Sequence, residues 1–386
     1  RQMCIRDSNN SVSFNGATDK SEYYVSFSQI SDDGMIPTDA DSYDKYTFSA
    51  RGSHKVKALT FSSSLNYSYQ KNKFATTGQG LTMLNSLYQT PRDVSIISLQ
   101  DQNDIFNSPG YFYTPYGVMN PYYILENYLN EYDAERFYGK FQVDYDFLKY
   151  FKFTYRMGLD TTTGQSNRGE PNLYALFYEG TPNGEGMGSN SPFYGKEGSY
   201  SQQISRRREI NQDLLLSFSM PINDFQINAL AGFNGNERKY SYLYSSVSKL
   251  TIPTWYNLSN SAATPTVEQY LSLRRLMGVF GQVDLSWRNM LYVTLTARND
   301  WSSTLPKENR SFFYPGATGS FIFTELLDED MKDILSFGKV RMAWGKTGND
   351  ANVYMTKPVY GQSSNRIPFG YLNLSLIHIS EPTRPY

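Results

Sequence analysis

Apolar and polar residues alternate in two neighbouring segments of the chain, and this pattern limits the structures that it can form. In residues 137–147 and 151–160, the odd-numbered positions carry mostly Phe, Val, Tyr, Met and Leu, whereas the even-numbered ones carry mostly Lys, Gln, Asp, Thr and Arg. Neighbouring side chains of a β-strand point to opposite faces. Each segment is therefore predicted to be a strand with one apolar and one polar face, joined to the other by a tight turn at residues 148–150.

The same alternation recurs along the whole chain. Clear examples are residues 59–69, 225–234, 277–287 and 291–298. About twelve such segments are present, most of them about 8–14 residues long, which is the length that tilted membrane strands need. The sequence therefore predicts an all-β, antiparallel protein of about twelve strands.

The predicted connections between these strands are short and long in turn. The short ones lie near residues 17–20, 52–55, 148–150, 221–224 and 288–289, and the long ones at residues 31–42, 72–133, 161–200, 245–266 and 300–311. This order is typical of transmembrane β-barrels of the outer membrane, which have short periplasmic turns and long extracellular loops. Residues 324–337 are predicted to form a short amphipathic helix at the short-turn end.

Composition excludes several classes of function. The net charge of −1 over 386 residues argues against an electrostatic nucleic-acid binder. One Cys and two His offer no disulfide or zinc framework. Gly345-Lys346-Thr347 lacks the earlier glycine of a phosphate loop, because Val340 stands in its place. We therefore expect no enzyme activity, no metal and no cofactor, and we place His54 in a short turn without a partner.

Both ends of the chain read differently from the rest. Residues 1–8 resemble one translated frame of a sequencing-library adapter, and residues 374–386 resemble the opposite strand of a similar adapter. We expect both to be artefacts, which leaves residues 9–373 as the native portion. The alternative is a native terminus of unusual composition.

Two sets of residues are candidates for function. Tyrosines in the longest predicted loop resemble those that recognise ligands, because their rings are rigid and amphipathic; they are Tyr113, Tyr116, Tyr122 and Tyr123. Alternatively, these rings pack the loop or line the membrane interface. Polar residues of the alternating segments are predicted to face the lumen of a barrel; they are Lys140, Gln142, Asp144, Arg156, Asn228, Asp284 and Arg298.

Several motifs resemble those of the SusC/RagA-type TonB-dependent outer-membrane transporters. Residues 12–37 resemble the first barrel hairpin of that family, and Ile252-Pro253-Thr254-Trp255-Tyr256-Asn257-Leu258-Ser259-Asn260 resembles a family loop. The most specific run is 275–349, which includes Ala297-Arg298-Asn299-Asp300-Trp301-Ser302-Ser303 and ends in Gly345-Lys346-Thr347-Gly348-Asn349. It departs from the family pattern in a loop and at a strand start, at Trp301, Tyr314 and Gly316.

The resemblance implies a fold and a function. The chain would be roughly the N-terminal half of the barrel, an open portion of a plugged 22-stranded barrel. The plug and the segment that contacts TonB would lie outside the chain. The protein would import a large nutrient, a glycan or a peptide, across a Gram-negative outer membrane together with a SusD-like lipoprotein. The alternatives are a soluble all-β glycan-binding or glycan-cleaving protein and a plain diffusion porin.

Overall fold

Twelve strands form a single antiparallel sheet, in which each strand pairs with its neighbours in the sequence. The computed structural model describes residues 7–109, 119–177, 193–356, 360–366 and 372–376. The strands are β1 (Asp7–Ala17), β2 (Ser21–Asp33), β3 (Ser42–Val56), β4 (Leu59–Lys73), β5 (Leu129–Phe147), β6 (Phe151–Glu170), β7 (Ser199–Ile222), β8 (Phe225–Ser248), β9 (Thr266–Trp287), β10 (Leu291–Ser302), β11 (Ser311–Ile322) and β12 (Lys339–Gly345). Because β1 and β12 each have one partner, the sheet is open, which confirms the predicted fold class.

Short helices occupy the connections. They are α1 (Met83–Gln89), α2 (Pro121–Asn127), α3 (Leu173–Phe177) and α4 (Glu329–Ile334). Helix α4 follows a 3-10 turn at Phe323–Leu326, so the helix predicted over 324–337 is confirmed. A separate hairpin consists of β13 (Tyr360–Arg366) and β14 (Leu372–Leu376). No helix in the described ranges is long and apolar enough to cross a membrane.

The connections alternate in length as predicted. At one end of the sheet, two to three residues join consecutive strands, apart from the helical connection between β11 and β12. At the other end the connections are longer, and the longest consists of residues 74–128. Positive φ angles at Lys57 and Asn223 are typical of tight hairpin turns. The prediction of a turn at residues 52–55 was wrong, because β3 continues to Val56. His54 therefore lies in a strand, where its Nδ1 is 2.6 Å from Ser21 Oγ.

Strands β5 to β9 are longer than predicted. They have 19 to 24 residues, whereas the sequence predicts about 8–14. A tilted strand needs only about 10 residues to cross a membrane, whereas β7 has 24. At about 3.3 Å per residue, β7 is about 80 Å long. The extra residues continue the ladder toward the long connections, where the apolar alternation no longer marks them as strand.

One face of the sheet carries an apolar band next to the short turns. Residues directly opposite each other in adjacent strands share a face, and the register joins Phe141 to Met157 and Ala231 to Gly281 on this face. The side chains are 37–50% exposed and no second layer covers them within the described ranges; examples are Phe141, Phe153, Leu216, Phe225, Val283 and Leu295. This single layer argues against the soluble alternative, in which these residues would form a core.

The band spans about 9–11 residues of each central strand and begins with aromatic rings. The ring centroids of Phe151 and Phe218 are 5.0 Å apart, and those of Phe225 and Trp287 are 6.3 Å apart. An apolar band of this height, bordered by aromatic residues, is typical of the outer surface of transmembrane barrels. Above it, toward the long connections, charged and polar side chains such as Arg206 and Arg208 join apolar ones such as Ile204 and Leu243 on the same face.

We expect that the isolated chain does not insert into lipid. The outer edges of β1 and β12 leave backbone N–H and C=O groups unpaired, each of which costs several kcal/mol in a hydrocarbon environment. Exposed edges also template aggregation. Insertion is measured by refolding the chain into liposomes. Protease treatment and gel mobility with and without heating then show whether it has inserted. A protease-resistant monomer whose mobility changes on heating would contradict the expectation.

Candidate functional site

The seven residues predicted to face a lumen lie on one face of the sheet. The register pairs Gln142 with Arg156, Arg156 with Asp213, and Asp213 with Asn234. Following the pairs across the sheet places the whole set on the face opposite the apolar band: Lys140, Gln142, Asp144, Arg156, Asn228, Asp284 and Arg298. We call this surface the polar face; that it lines a lumen stays a prediction.

A hydrogen-bonded group recurs on the polar face of two hairpins. In β5–β6, the Thr154 hydroxyl donates to Asp144 Oδ1 at 2.6 Å and the Gln142 amide donates to Asp144 Oδ2 at 2.8 Å. The β9–β10 hairpin repeats the group with the same distances, using Gln282, Asp284 and Thr294. The sequence signal is a repeated Gln-Val-Asp with a Thr ten residues after the Asp. These bonds fix two carboxylates near the short turns.

Asp213 is the most buried carboxylate of the polar face, at 4% exposure. Arg156 donates to its Oδ2 from Nε at 2.8 Å and from Nη2 at 2.7 Å, and the Asn234 amide donates to Oδ1 at 2.6 Å. The sequence prediction missed Asp213, because the run Leu214-Leu215-Leu216 beside it breaks the alternation. The network links β6, β7 and β8 through their polar side chains.

A second, partly buried carboxylate, that of Asp350, joins the segment after β12 to the sheet. Arg274 makes a bidentate ion pair with Asp350, at 2.9 Å from Nε and 2.7 Å from Nη2, and Ser302 and Thr304 donate their hydroxyls to Asp350 Oδ2. Burial alone would raise the pKa of the Asp350 carboxyl, but the hydrogen bonds from Arg274, Ser302 and Thr304 outweigh it and lower that pKa below its ordinary value.

A polar cleft of about 540 Å³ lies beside this ion pair. Its walls come from β7, β8 and β9 and from the segment after β12; they include Arg207, Glu209, Arg238, Arg274, Asn349 and Asp350. Glu209 pairs with Arg238 at 3.0 Å. The cleft therefore offers charges of both signs and amide groups to a polar ligand, which suits hydrogen-bonded recognition.

The long connections pack together into a folded layer, which we call the loop layer. Its core combines buried residues of 74–128 with Leu173 and Phe193 from the β6–β7 connection. Ile36 and Ala40 from the β2–β3 connection pack against that core. Connections from three hairpins thus share one apolar core instead of extending separately into solvent.

Asn120 anchors the loop layer. Its side chain is fully buried; the amide donates to the carbonyls of Leu99 at 2.8 Å and Asn107 at 2.7 Å, while Oδ1 accepts from the Tyr122 N–H at 2.9 Å. It is also the N-cap of α2, with Pro121 in the first turn, a favourable start for a helix. All the hydrogen-bonding groups of this amide are used to shape the loop.

Two of the four predicted ligand-contacting tyrosines lie in this layer. Tyr122 and Tyr123 are 7% and 8% exposed, and the ring of Tyr123 meets Phe177 edge-on at 5.4 Å between centroids. Burial raises the pKa of Tyr123 to about 12. These two rings pack the loop, as the alternative interpretation expects, while ligand contact by them stays a prediction. Tyr113 and Tyr116 lie outside the described residues.

The β8–β9 connection is fastened to its neighbours by polar contacts. The Tyr256 hydroxyl donates to the Asn127 carbonyl, and the Asn172 amide donates to the Leu250 carbonyl at 2.7 Å. Within the connection, the Asn260 amide donates to Ile252 O at 2.8 Å. The run 252–260 singled out in the sequence therefore forms a closed loop that holds the layer together. Over the described ranges, no three His, Cys, Asp or Glu side chains are grouped as metal ligands would be.

Comparison with known sequences identifies TonB-dependent receptors. No family model matches the chain. TonB-dependent receptor P3 of Formosa agariphila is 22% identical over 356 residues, which is 89% of this chain and 33% of the receptor. TonB-dependent receptor SusC of Bacteroides thetaiotaomicron is 25% identical over 384 residues, which is 93% of this chain and 36% of the receptor. The chain thus spans about one third of the relatives that it matches.

Comparison with solved structures identifies the same fold. The RagAB peptide transporter matches with a TM-score of 0.75 at 15% identity, over 97% of this chain and 40% of the solved one. The ferric citrate transporter FecA matches with a TM-score of 0.50 at 8% identity, over 83% of this chain and 40% of the solved one. The fold and the two-faced sheet define a segment of a TonB-dependent outer-membrane barrel. Within that class, the chain is similar in sequence to the TonB-dependent receptor SusC and in fold to the RagAB transporter.

Removal of the Asp213 carboxylate tests the polar network. We expect Asp213→Ala to lower the free energy of unfolding of the complete receptor by about 2 kcal/mol, because Arg156 and Asn234 lose a buried acceptor. Asp146→Ala is the matched control, since Asp146 and Lys152 are about half exposed and 3.7 Å apart, and such a pair contributes at most about 1 kcal/mol. Urea unfolding of both variants measures this, and equal losses would contradict it.

The Asp350 network predicts a dependence on pH. Since the pKa of this carboxyl is lower in the folded state, its contribution is fully present above its ordinary pKa of 3.8 and is lost as pH falls through the lowered value. We expect residues 346–356 to lose protection from hydrogen exchange as pH falls below the ordinary pKa of 3.8, after correction for intrinsic rates. Asp350→Asn should show low protection at both neutral and acidic pH. If protection from hydrogen exchange is unchanged by pH or by the substitution, the Asp350 carboxylate does not hold this segment to the sheet.

Proposed function

We propose that this chain is the wall and part of the extracellular cover of a TonB-dependent importer for a large nutrient, a glycan or a peptide. The observation that carries the proposal is the separation of the sheet into an apolar band and a polar face that continues across neighbouring strands. Such a wall isolates a hydrated path from lipid. The outer membrane holds no ATP, so TonB, coupled to the inner membrane, supplies the energy through parts of the receptor beyond this chain.

The cleft and the loop layer support capture of a polar cargo. Ion pairs and amides line the cleft between β7, β8, β9 and the segment after β12. Glycans and peptides both present many hydrogen-bonding groups, which such a surface can satisfy. The solved RagAB protein is a peptide transporter, which favours the peptide within this pair, while the Tyr- and Asn-rich connections suit either.

A SusD-like surface lipoprotein is the proposed partner. The loop layer is stabilised by its own apolar core and by the buried Asn120 amide, so it presents a formed surface and not a set of separate loops. A preformed surface binds a partner at a lower cost in conformational entropy. We place this contact at the long-connection end, which faces the cell exterior in outer-membrane barrels.

Growth measurements test the proposed import. The complete receptor that contains this chain is expressed in a host that lacks its own receptor for the nutrient, with and without TonB. We expect growth on one oligosaccharide or oligopeptide as the sole source only when TonB is present, together with co-purification of a SusD-like lipoprotein. The control variant carries a substitution in the TonB-contacting segment.

TonB-independent uptake would identify a diffusion porin instead. In that case cargo of increasing size is excluded sharply, and no lipoprotein co-purifies. Failure of every oligomer to support growth, with a correctly inserted receptor, would refute a role in nutrient import.

A further inference from the structure

Four basic side chains lie on the outer face of the sheet, directly above the apolar band. They are Arg206, Arg208, Lys239 and Arg275, which we call the outer basic cluster. Arg208 pairs with Lys239 across β7 and β8, in the same alternation as the band residues Leu214 and Phe233, which also pair with each other. All four are exposed, and they point away from the polar face.

The cluster holds more positive charge than its neighbours neutralise. Glu237 accepts from Arg208 at 3.0 Å and from Arg275 at 2.8 Å, so one carboxylate serves two guanidinium groups. Arg206 and Lys239 have no ion-pair partner in the part of the chain that the structure describes. Like charges directly opposite each other in a sheet are destabilising, and Arg208 faces Lys239 in this way. The cluster therefore carries a net positive charge, which a bound anion would offset.

The height of the cluster indicates which anion this is. Along β7 the outward residues run from Ile222 through Leu216 and Leu214 to Gln212 and Ile210. Arg208 and Arg206 are the next two outward residues. In a barrel, that level lies beside the headgroups of the leaflet on the long-loop side, which is the outer leaflet. Arg and Lys bind phosphate through charge-assisted hydrogen bonds.

We propose that the outer basic cluster binds the phosphate group of an anionic glycolipid in the outer leaflet. The guanidinium of Arg206 and the ammonium of Lys239 supply the charge that Glu237 leaves uncompensated, and the band below holds the acyl chains. The lipid thereby bridges β7, β8 and β9 on their outer side, at the level where these long strands leave the hydrocarbon.

Arg207 provides a matched control within the same sequence run. It lies between Arg206 and Arg208, yet the alternation places it on the polar face, where it lines the cleft. Arg207→Gln changes the net charge as Arg206→Gln does, but on the opposite side of the wall. An effect of total charge and an effect of the outer basic cluster are therefore separable.

The test measures lipid binding to the complete receptor that contains this chain, purified in a neutral detergent, by native mass spectrometry. The probes are diphosphoryl lipid A, its dephosphorylated form and inorganic phosphate. We expect binding of diphosphoryl lipid A to weaken by about fivefold for each cation removed in Arg206→Gln and Lys239→Gln. We expect Arg207→Gln to bind as the unaltered receptor does.

Three results would overturn the proposal: equal binding of the phosphorylated and dephosphorylated lipids, equal weakening by Arg207→Gln, or inorganic phosphate bound as tightly as the lipid. The last would indicate a site for a free anion. Gel mobility before and after heating establishes that each variant is folded, and the Lys239→Gln variant alone serves if Arg206→Gln is not folded. Because cargo import is not measured, the result is independent of the proposed function.

Discussion

The unbroken antiparallel ladder is the constraint on which the rest of the structure depends. Each inner strand satisfies its backbone N–H and C=O groups through its two neighbours, and in lipid no other partner is available for them. Antiparallel pairing of neighbours in the sequence also places all the tight turns at one end and all the long connections at the other. Side-chain alternation on that ladder then produces two chemically different faces without any further packing. The apolar band, the polar face and the loop layer are therefore three consequences of one register.

The strand register determines on which face of the sheet each charged side chain lies. The run Arg206-Arg207-Arg208 looks like one basic patch in the sequence, but the ladder divides it between the two sides of the wall. Glu237 pairs with Arg208 and Arg275 on the outer side, whereas Glu209 and Asp350 pair with cations on the inner side. Net charge near zero therefore hides two surfaces with different electrostatics, and only the strand register separates them.

Local pattern was sufficient to predict the sheet but not the loops. Alternation in residues such as 137–147 predicts strand, face and turn, because these depend on neighbours along the chain. It fails at Leu214-Leu215-Leu216, where both faces are apolar and Asp213 is hidden. It also underestimates strand length, since in the part of β7 next to the long connection only a few apolar residues, such as Ile204 and Ile210, interrupt a mostly polar sequence. The buried positions of Tyr122 and Asn120 depend on contacts between distant connections, and no local periodicity encodes these.

The long strands and the loop layer depend on each other. A ladder that extends beyond the membrane is exposed to water on both sides, where backbone hydrogen bonds contribute little net stability. Contacts at the top, such as Tyr256 with Asn127 and Asn172 with Leu250, join the β4–β5, β6–β7 and β8–β9 connections and so hold neighbouring hairpins in register. The segment after β12 does the same lower down, through Asp350 and Arg274. The loop layer and the polar face are stabilised separately, because the apolar core of the layer and the polar face use different residues.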